Sequence, residues 1–269
     1  MSRHSIASNV VIEIGGIPIS LETSDPEFLS VLHDRYSGYI APSERAPEFS
    51  VHVELVSVGT LDSSEDVRVW IEDGQWHLRR GDFSAAWDPR SCRGTIRQVS
   101  SPYSIDSVLR IVHTLILARS GGFLLHASSA VRNGKAFLFS GLSGAGKTTI
   151  VSLAPPDAVL LTDEASYISK ADGGYLAHGT PFAGELGVPG ANISAPVAAV
   201  YLLEKSSENR MDAVPQAEAV RRLMRNILFF AEDAALVQKV FEAACAFTAS
   251  VPVYRLSFFP DQRVWELIR

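Results

Sequence analysis

The sequence predicts an α/β fold preceded by a smaller β-rich region, and three observations predict it. Residues 1–100 are dominated by period-two alternation and glycine turns. Near residue 101 the apolar spacing lengthens to that of a helix, after which strand and helix patterns alternate. Within that second part, a glycine-rich loop sits between an apolar strand and a helix.

The elements follow in order. Val10–Ile14 and Ile17–Ile19 read as strands around the turn Gly15-Gly16, and Pro26 to Tyr39 holds a short helix. Phe49–Leu55 alternates as a half-buried strand does, and Val67–Ile71 with Trp76–Leu78 forms a hairpin through Asp73-Gly74. Ile105, Val108, Leu109, Val112, Leu115 and Ile116 mark a helix capped by Ser104 and ended by Gly121-Gly122. Strands are expected at Phe123–Leu125, Ala136–Ser140, Val159–Thr162 and Val197–Leu203. A helix opening at Pro215 carries Val220, Leu223, Met224, Ile227 and Leu228 on one face, and another spans Asp233 to Ala249. Val251–Phe259 closes as a strand, with a helical turn near Trp265. The division is therefore residues 1–100, a β-rich region suited to substrate or partner recognition, and 101–269, the α/β domain.

Composition narrows the function. Of 269 residues, 46% are hydrophobic and 20% charged, which excludes long disorder and collagen-like repeats. The net charge of −6 argues against a general nucleic-acid binder. Only Cys92 and Cys245 are present, which suits a reducing cytosol and rules out a disulfide-stapled miniprotein. Met1-Ser2-Arg3-His4 leads into a strand without the apolar core of a signal peptide. The uncharged run Leu186–Leu203 is broken by Gly187, Pro189, Gly190 and Pro196, so it reads as a loop and a buried strand rather than a membrane span. A cytoplasmic protein without a membrane or nucleic-acid partner is expected. The histidines and cysteines show no zinc-ligand spacing, and the four tryptophans read as core or edge packing.

Gly141-Leu142-Ser143-Gly144-Ala145-Gly146-Lys147-Thr148 fits G-x-x-x-x-G-K-[ST], the phosphate-binding loop. Gly141, Gly144 and Gly146 permit the turns that aim backbone N–H groups at phosphate oxygens, with Ser143 and Ala145 between them. Lys147 supplies an ammonium for the β- and γ-phosphates, the Thr148 hydroxyl a ligand for Mg²⁺, and Thr149 continues the first turn. The positive end of that helix faces the same anion. ATP and Mg²⁺ are the cofactors expected. The next strand ends in Asp163-Glu164, where such a protein needs a second metal ligand. Neighbouring side chains at a strand end point to opposite sides, so one carboxylate is free to hold Mg²⁺ while the other accepts a proton. No guanine-reading Asn/Thr-Lys-x-Asp motif follows.

Leu124-Leu125-His126-Ala127-Ser128-Ser129-Ala130-Val131, Gly134, the strand Ala136–Ser140, the loop and Asp163-Glu164 form one continuous pattern. Over roughly residues 120–203 it resembles the catalytic domain of the HPr kinase/phosphorylase family and its smaller kinase-like relatives, whose P-loop fold is shared with phosphoenolpyruvate (PEP) carboxykinases. The resemblance implies a kinase transferring the γ-phosphoryl group of ATP to a hydroxyl. It implies that His126 lies beside the carboxylate pair and sets its protonation, that Asp163 accepts the hydroxyl proton, and that Glu164 is on the metal side. His178-Gly179-Thr180-Pro181-Phe182-Ala183-Gly184-Glu185 resembles the loop after the third strand in these kinases, with Glu185 a further metal or substrate contact or else a solvated turn residue. The sequence departs from the family in having Glu164 where Asp is usual, and in lacking a Glu-Val-Arg-Gly signature after residue 185. HPr as acceptor and the phosphorylase reaction are thus not implied. Relatives of this layout include kinases of modified peptides, so the acceptor classes are a peptide or small-protein serine and a small molecule.

Arg221, Arg222 and Arg225 lie on the polar face of the helix after Pro215, either as a solvated face or with one of them neutralising the transferring phosphoryl group. Two other readings stand beside the kinase: an ATP-dependent peptide- or protein-binding module with little phosphotransfer, and a simple ATPase. Homo-oligomer formation is left open by the sequence.

Overall fold

The structure, a computed structural model, describes residues 8–57 and 65–268. The reading of Met1-Ser2-Arg3-His4 lies outside these. The chain divides into two compact units, 1–113 with 230–233 and 114–229 with 234–269.

The first unit is built on a seven-stranded sheet. Its elements are β1 (Ser8–Ile14), β2 (Ile17–Thr23), α1 (Pro26–Arg35), β3 (Phe49–Leu55), β4 (Arg68–Glu72), β5 (Gln75–Arg80), β6 (Phe83–Asp88) and β7 (Arg93–Gln98). Their spatial order is β1-β2-β3-β7-β6-β5-β4, with β3 parallel to both its neighbours. Ile12, Leu21, Val53, Ile96, Leu78 and Trp76 fill the covered face, joined by Phe28 and Leu32 of α1. Asp25 starts α1 by accepting the Phe28 N–H at 2.9 Å. The hairpin through Asp73-Gly74 forms as the sequence predicts, both residues having positive φ. The pair β6 and β7 was not singled out from the sequence. Helix α2 (Pro102–Ser120) begins two residues before Ser104, which therefore does not cap it; the Ser104 hydroxyl instead donates to Asp82 at 2.6 Å.

The second unit holds β8 (Phe123–Arg132), β9 (Lys135–Ser140), α3 (Lys147–Ser152), β10 (Val159–Thr162), β11 (Ala165–Ala171), β12 (Gly174–His178), β13 (Ser194–Lys205), β14 (Arg210–Ala213), α4 (Gln216–Met224), β15 (Ile227–Leu228), α5 (Ala234–Ser250) and β16 (Val253–Phe258). Nine strands form one hydrogen-bonded network. Two of them are long enough to serve two sets of neighbours. β8 pairs with β11 up to His126 and with β9 from Ala127 onward. β13 pairs first with β12 and then, in parallel, with β9 and β16. One core packs Leu125, Leu138 and Val200 against Leu223 of α4 and Phe247 of α5. The other packs Phe137, Phe139 and Tyr201 against Ile150 of α3 and Trp265 of a closing 3-10 turn. The mixed α/β class is as predicted. Ile227 and Leu228, expected to continue α4, form β15 against Leu125 and Leu124 instead. Among the described residues, no helix is long and apolar enough to cross a membrane.

Candidate functional site

The site forms where β8 changes partners, from the middle of β8 and the ends of β9 and β10. Strand β9 is buried on both faces from Ala136 onward, which is why Ala136–Phe139 are all apolar rather than alternating. Beyond Ser140 the chain turns through Gly141–Gly146, with Gly144 and Gly146 at φ of 75° and 102°. At Gly146 glycine is required twice over, because a Cβ there would lie 2.7 Å from the Phe258 ring. Gly141 faces a similar limit, its Cβ position lying 2.8 Å from the Ala145 methyl. Ser143 and Thr149 are exposed on the loop and first helical turn, and Thr148 is half-buried beside Lys147.

Two hydrogen bonds pin the helix after the loop. The Ser128 hydroxyl donates to the Lys147 carbonyl at 2.7 Å, and the Trp265 indole N–H donates to the Ile150 carbonyl at 2.8 Å. Helix α3 has only six residues. Few peptide dipoles therefore align, and the expected contribution from its positive end is small compared with Lys147 and the loop amides. The Lys147 ammonium folds back over the loop and donates to the carbonyls of Gly141 and Leu142 at 3.1 and 3.3 Å. Burial holds this ammonium below the usual lysine range, while the Glu164 and Glu185 carboxylates act in the opposite direction.

The carboxylate turn is shaped by Thr162, whose hydroxyl oxygen accepts the N–H groups of Glu164 and Ala165 at 3.1 and 3.2 Å. This bend separates the two acids. Glu164 is half-buried and acts on Lys147. Asp163 is only 3% exposed, and its two oxygens accept the backbone N–H groups of Gly184 and Leu186 at 2.8 and 2.7 Å. The residue expected to take the hydroxyl proton thus also anchors a loop more than twenty residues downstream, each of its oxygens accepting one backbone N–H.

His126, expected beside the carboxylate pair, has its Nδ1 3.2 Å from the backbone carbonyl oxygen of Glu164. A carbonyl only accepts, so in this contact Nδ1 is the donor. The His126 N–H in turn donates to the Asn226 carbonyl at 2.7 Å, which ties the end of α4 to this strand.

The structure thus brings Lys147, Glu164 and Glu185 within electrostatic reach, and joins His126 to the Glu164 backbone. Among the described residues, no set of three or more His, Cys, Asp or Glu side chains is arranged to hold a metal ion. Mg²⁺ fits such a place in another way, since it keeps several waters and takes one or two carboxylates together with substrate phosphates. Glu164, Glu185 and Thr148 are the side chains that would hold it. Arg222 is committed to Glu204 and Glu218, which Arg255 also engages, so it is not free to neutralise a phosphoryl group; Arg221 and Arg225 are exposed. Sequence reasoning missed Thr162 and Ser128. The Thr-Asp-Glu order was a readable signal for the first, as a hydroxyl-capped turn.

Comparison with known proteins bears on this region directly. Residues 97–269 match the family model described as SynChlorMet cassette protein ScmC. The chain belongs to the ScmC family. The part shared with the family begins at Arg97 in β7 and takes in α2 and every element from β8 to the C-terminus, with β1–β6 outside it. No curated protein matches the chain. Among solved structures, the chain is similar to an Hpr(Ser) kinase/phosphatase from Coxiella burnetii. The two are 13% identical, the match covers 54% of this chain and 85% of that one, and the TM-score is 0.32. A likeness this distant says nothing about individual residues at the site.

Proposed function

We propose that the second unit binds ATP with Mg²⁺ and transfers the γ-phosphoryl group to a hydroxyl on a peptide, a small protein or a small molecule. The observation that carries this reading is Lys147: an ammonium largely withdrawn from solvent and resting on carbonyls of a loop with two left-handed glycines. Such an ammonium has three donors, and a triphosphate offers it charged acceptors in place of neutral ones. The loop amides add further donors around the same anion.

Transfer of this kind is mostly positioning and charge stabilisation. Lys147 and the loop hold the β- and γ-phosphates. Mg²⁺, when bound, neutralises phosphate charge, and Glu164, Glu185 and Thr148 are the residues that would hold it. His126 is oriented by its Nδ1–H bond to the Glu164 carbonyl, so its Nε2 lone pair takes the proton of the acceptor hydroxyl. The new O–P bond forms as the bond between the γ-phosphorus and the bridging oxygen breaks, and ADP leaves with that oxygen.

The test offers γ-labelled ATP and Mg²⁺ to peptide, protein and small-molecule fractions of the source cell, with Lys147→Ala and His126→Asn as controls. Label moving to one fraction only with the intact protein supports the reading and identifies the acceptor. Tight ATP binding without label transfer in any fraction replaces it with a nucleotide-dependent binding module, and phosphate release to water alone replaces it with an ATPase.

A further inference from the structure

The segment 179–193, between β12 and β13, is fastened to β10 near both its ends. Thr180 N–H donates to the Leu161 carbonyl at 3.0 Å, Ala191 N–H to the Leu160 carbonyl at 2.9 Å, and Gly190 N–H to the Thr180 carbonyl at 3.0 Å. At its tip Asp163 fastens it to the carboxylate turn, its oxygens accepting the N–H groups of Gly184 and Leu186. The residue between those two amides is Glu185. Gly184 packs so closely that a Cβ there would lie 2.9 to 3.0 Å from the Asp163 carboxylate atoms, so the grip depends on glycine at that position. The turn is closed by the Gly187 N–H donating to the Gly184 carbonyl at 3.1 Å.

We infer that Asp163 is a positioning residue: its carboxylate clips the backbone on both sides of Glu185 and thereby fixes that side chain toward the phosphate loop. The chemistry favours this assignment. A carboxylate accepting two backbone N–H groups is held by charge-assisted bonds, and protonating it would remove the charge that strengthens both. Glu185, by contrast, exerts its charge on the Lys147 ammonium. The sequence neighbours Asp163 and Glu164 therefore have separate tasks. Glu164 faces the site itself, and Asp163 brings a second acid to it from the far end of a loop. The clip stands independently of phosphotransfer, while its kinetic consequence rests on the function proposed above.

Two measurements on the full chain test it. The first needs no turnover: hydrogen exchange at the amides of Gly184 and Leu186 in the intact protein and in Asp163→Asn. The Asn side chain keeps the size of Asp but places an NH₂ against one of the two donors. Exchange at both amides is expected to rise at least about tenfold, with core amides such as those of Leu138 and Val200 unchanged. Unchanged exchange at Gly184 and Leu186 overturns the clip, whatever the protein's activity. The second is a double-substitution cycle of Asp163→Asn with Glu185→Gln, read as kcat, KM for ATP and the pH profile, or as Mg²⁺-ATP affinity should the chain prove not to transfer phosphate. If Asp163 acts through Glu185, adding Asp163→Asn to Glu185→Gln changes little beyond twofold, and the pH profile keeps its shape. Multiplying effects, together with loss of the acid limb in Asp163→Asn, would make Asp163 the proton acceptor and overturn the assignment.

Discussion

His126 Nδ1 lies 3.2 Å from the carbonyl oxygen of Glu164, so β8 and the carboxylate turn after β10 meet through one imidazole. This bond orders the ring without using either carboxylate. The substitution His126→Asn separates the two nitrogens, because an amide NH₂ can still donate to the Glu164 carbonyl while Nε2 is lost. Turnover is expected to fall by about 10²- to 10⁴-fold, the usual range for a general base, with ATP affinity held within about threefold. Steady-state kinetics and calorimetry read the two effects separately.

The loop glycines differ in what they must accommodate. A Cβ at Gly190 would lie 1.6 Å from the Leu161 carbonyl oxygen, whereas at Gly144 nothing lies within 4 Å. Gly190→Ala is expected to lower stability by about 3 kcal/mol or more, since the backbone itself must move. Gly144→Ala meets only the left-handed φ of 75° and is expected to cost about 1 kcal/mol. Thermal denaturation of the two variants checks the order.

The pattern of success in the sequence reading follows the range of the interactions. The hairpin at Asp73-Gly74 and the strand–loop–helix around Lys147 were legible because glycine chemistry and an apolar strand are local signals. Ile227 and Leu228 satisfied helical spacing with Leu223 and Met224, yet they leave the helix because the His126 N–H claims the Asn226 carbonyl and β8 offers an edge. Asp163 looked like a free acid for a similar reason. Its partners are backbone amides at 184 and 186, which have no side-chain signature.

Arg222 shares Glu204 and Glu218 with Arg255 at distances of 2.8 to 3.5 Å. The four groups are partly exposed, so each pair stabilises little. Arg222→Ala is expected to reduce stability by about 0.5–1 kcal/mol and to leave phosphotransfer unchanged. A large loss of turnover with normal stability would return Arg222 to the reaction.

His113 of α2 is fully buried, and burial pushes its pKa down to about 3. In the unfolded chain an imidazole titrates near 6.5, so below that value the unfolded state takes up a proton that the folded state refuses. Stability from this source is fully present above about pH 6.5 and is lost as the pH falls toward 3. His113→Leu is expected to flatten the acid side of the stability–pH curve, measured by denaturant unfolding between pH 4 and 8.

The proposed nucleotide site is tested most directly by calorimetric titration of ATP and AMP, with Mg²⁺, into the intact chain and Lys147→Met. The predicted result is binding of ATP but not AMP, weakened roughly 100-fold in Lys147→Met, as the loss of charged hydrogen bonds to phosphate requires. Equal ATP affinity in the two proteins, or no ATP binding by the intact chain, would contradict the assignment of this loop to a triphosphate.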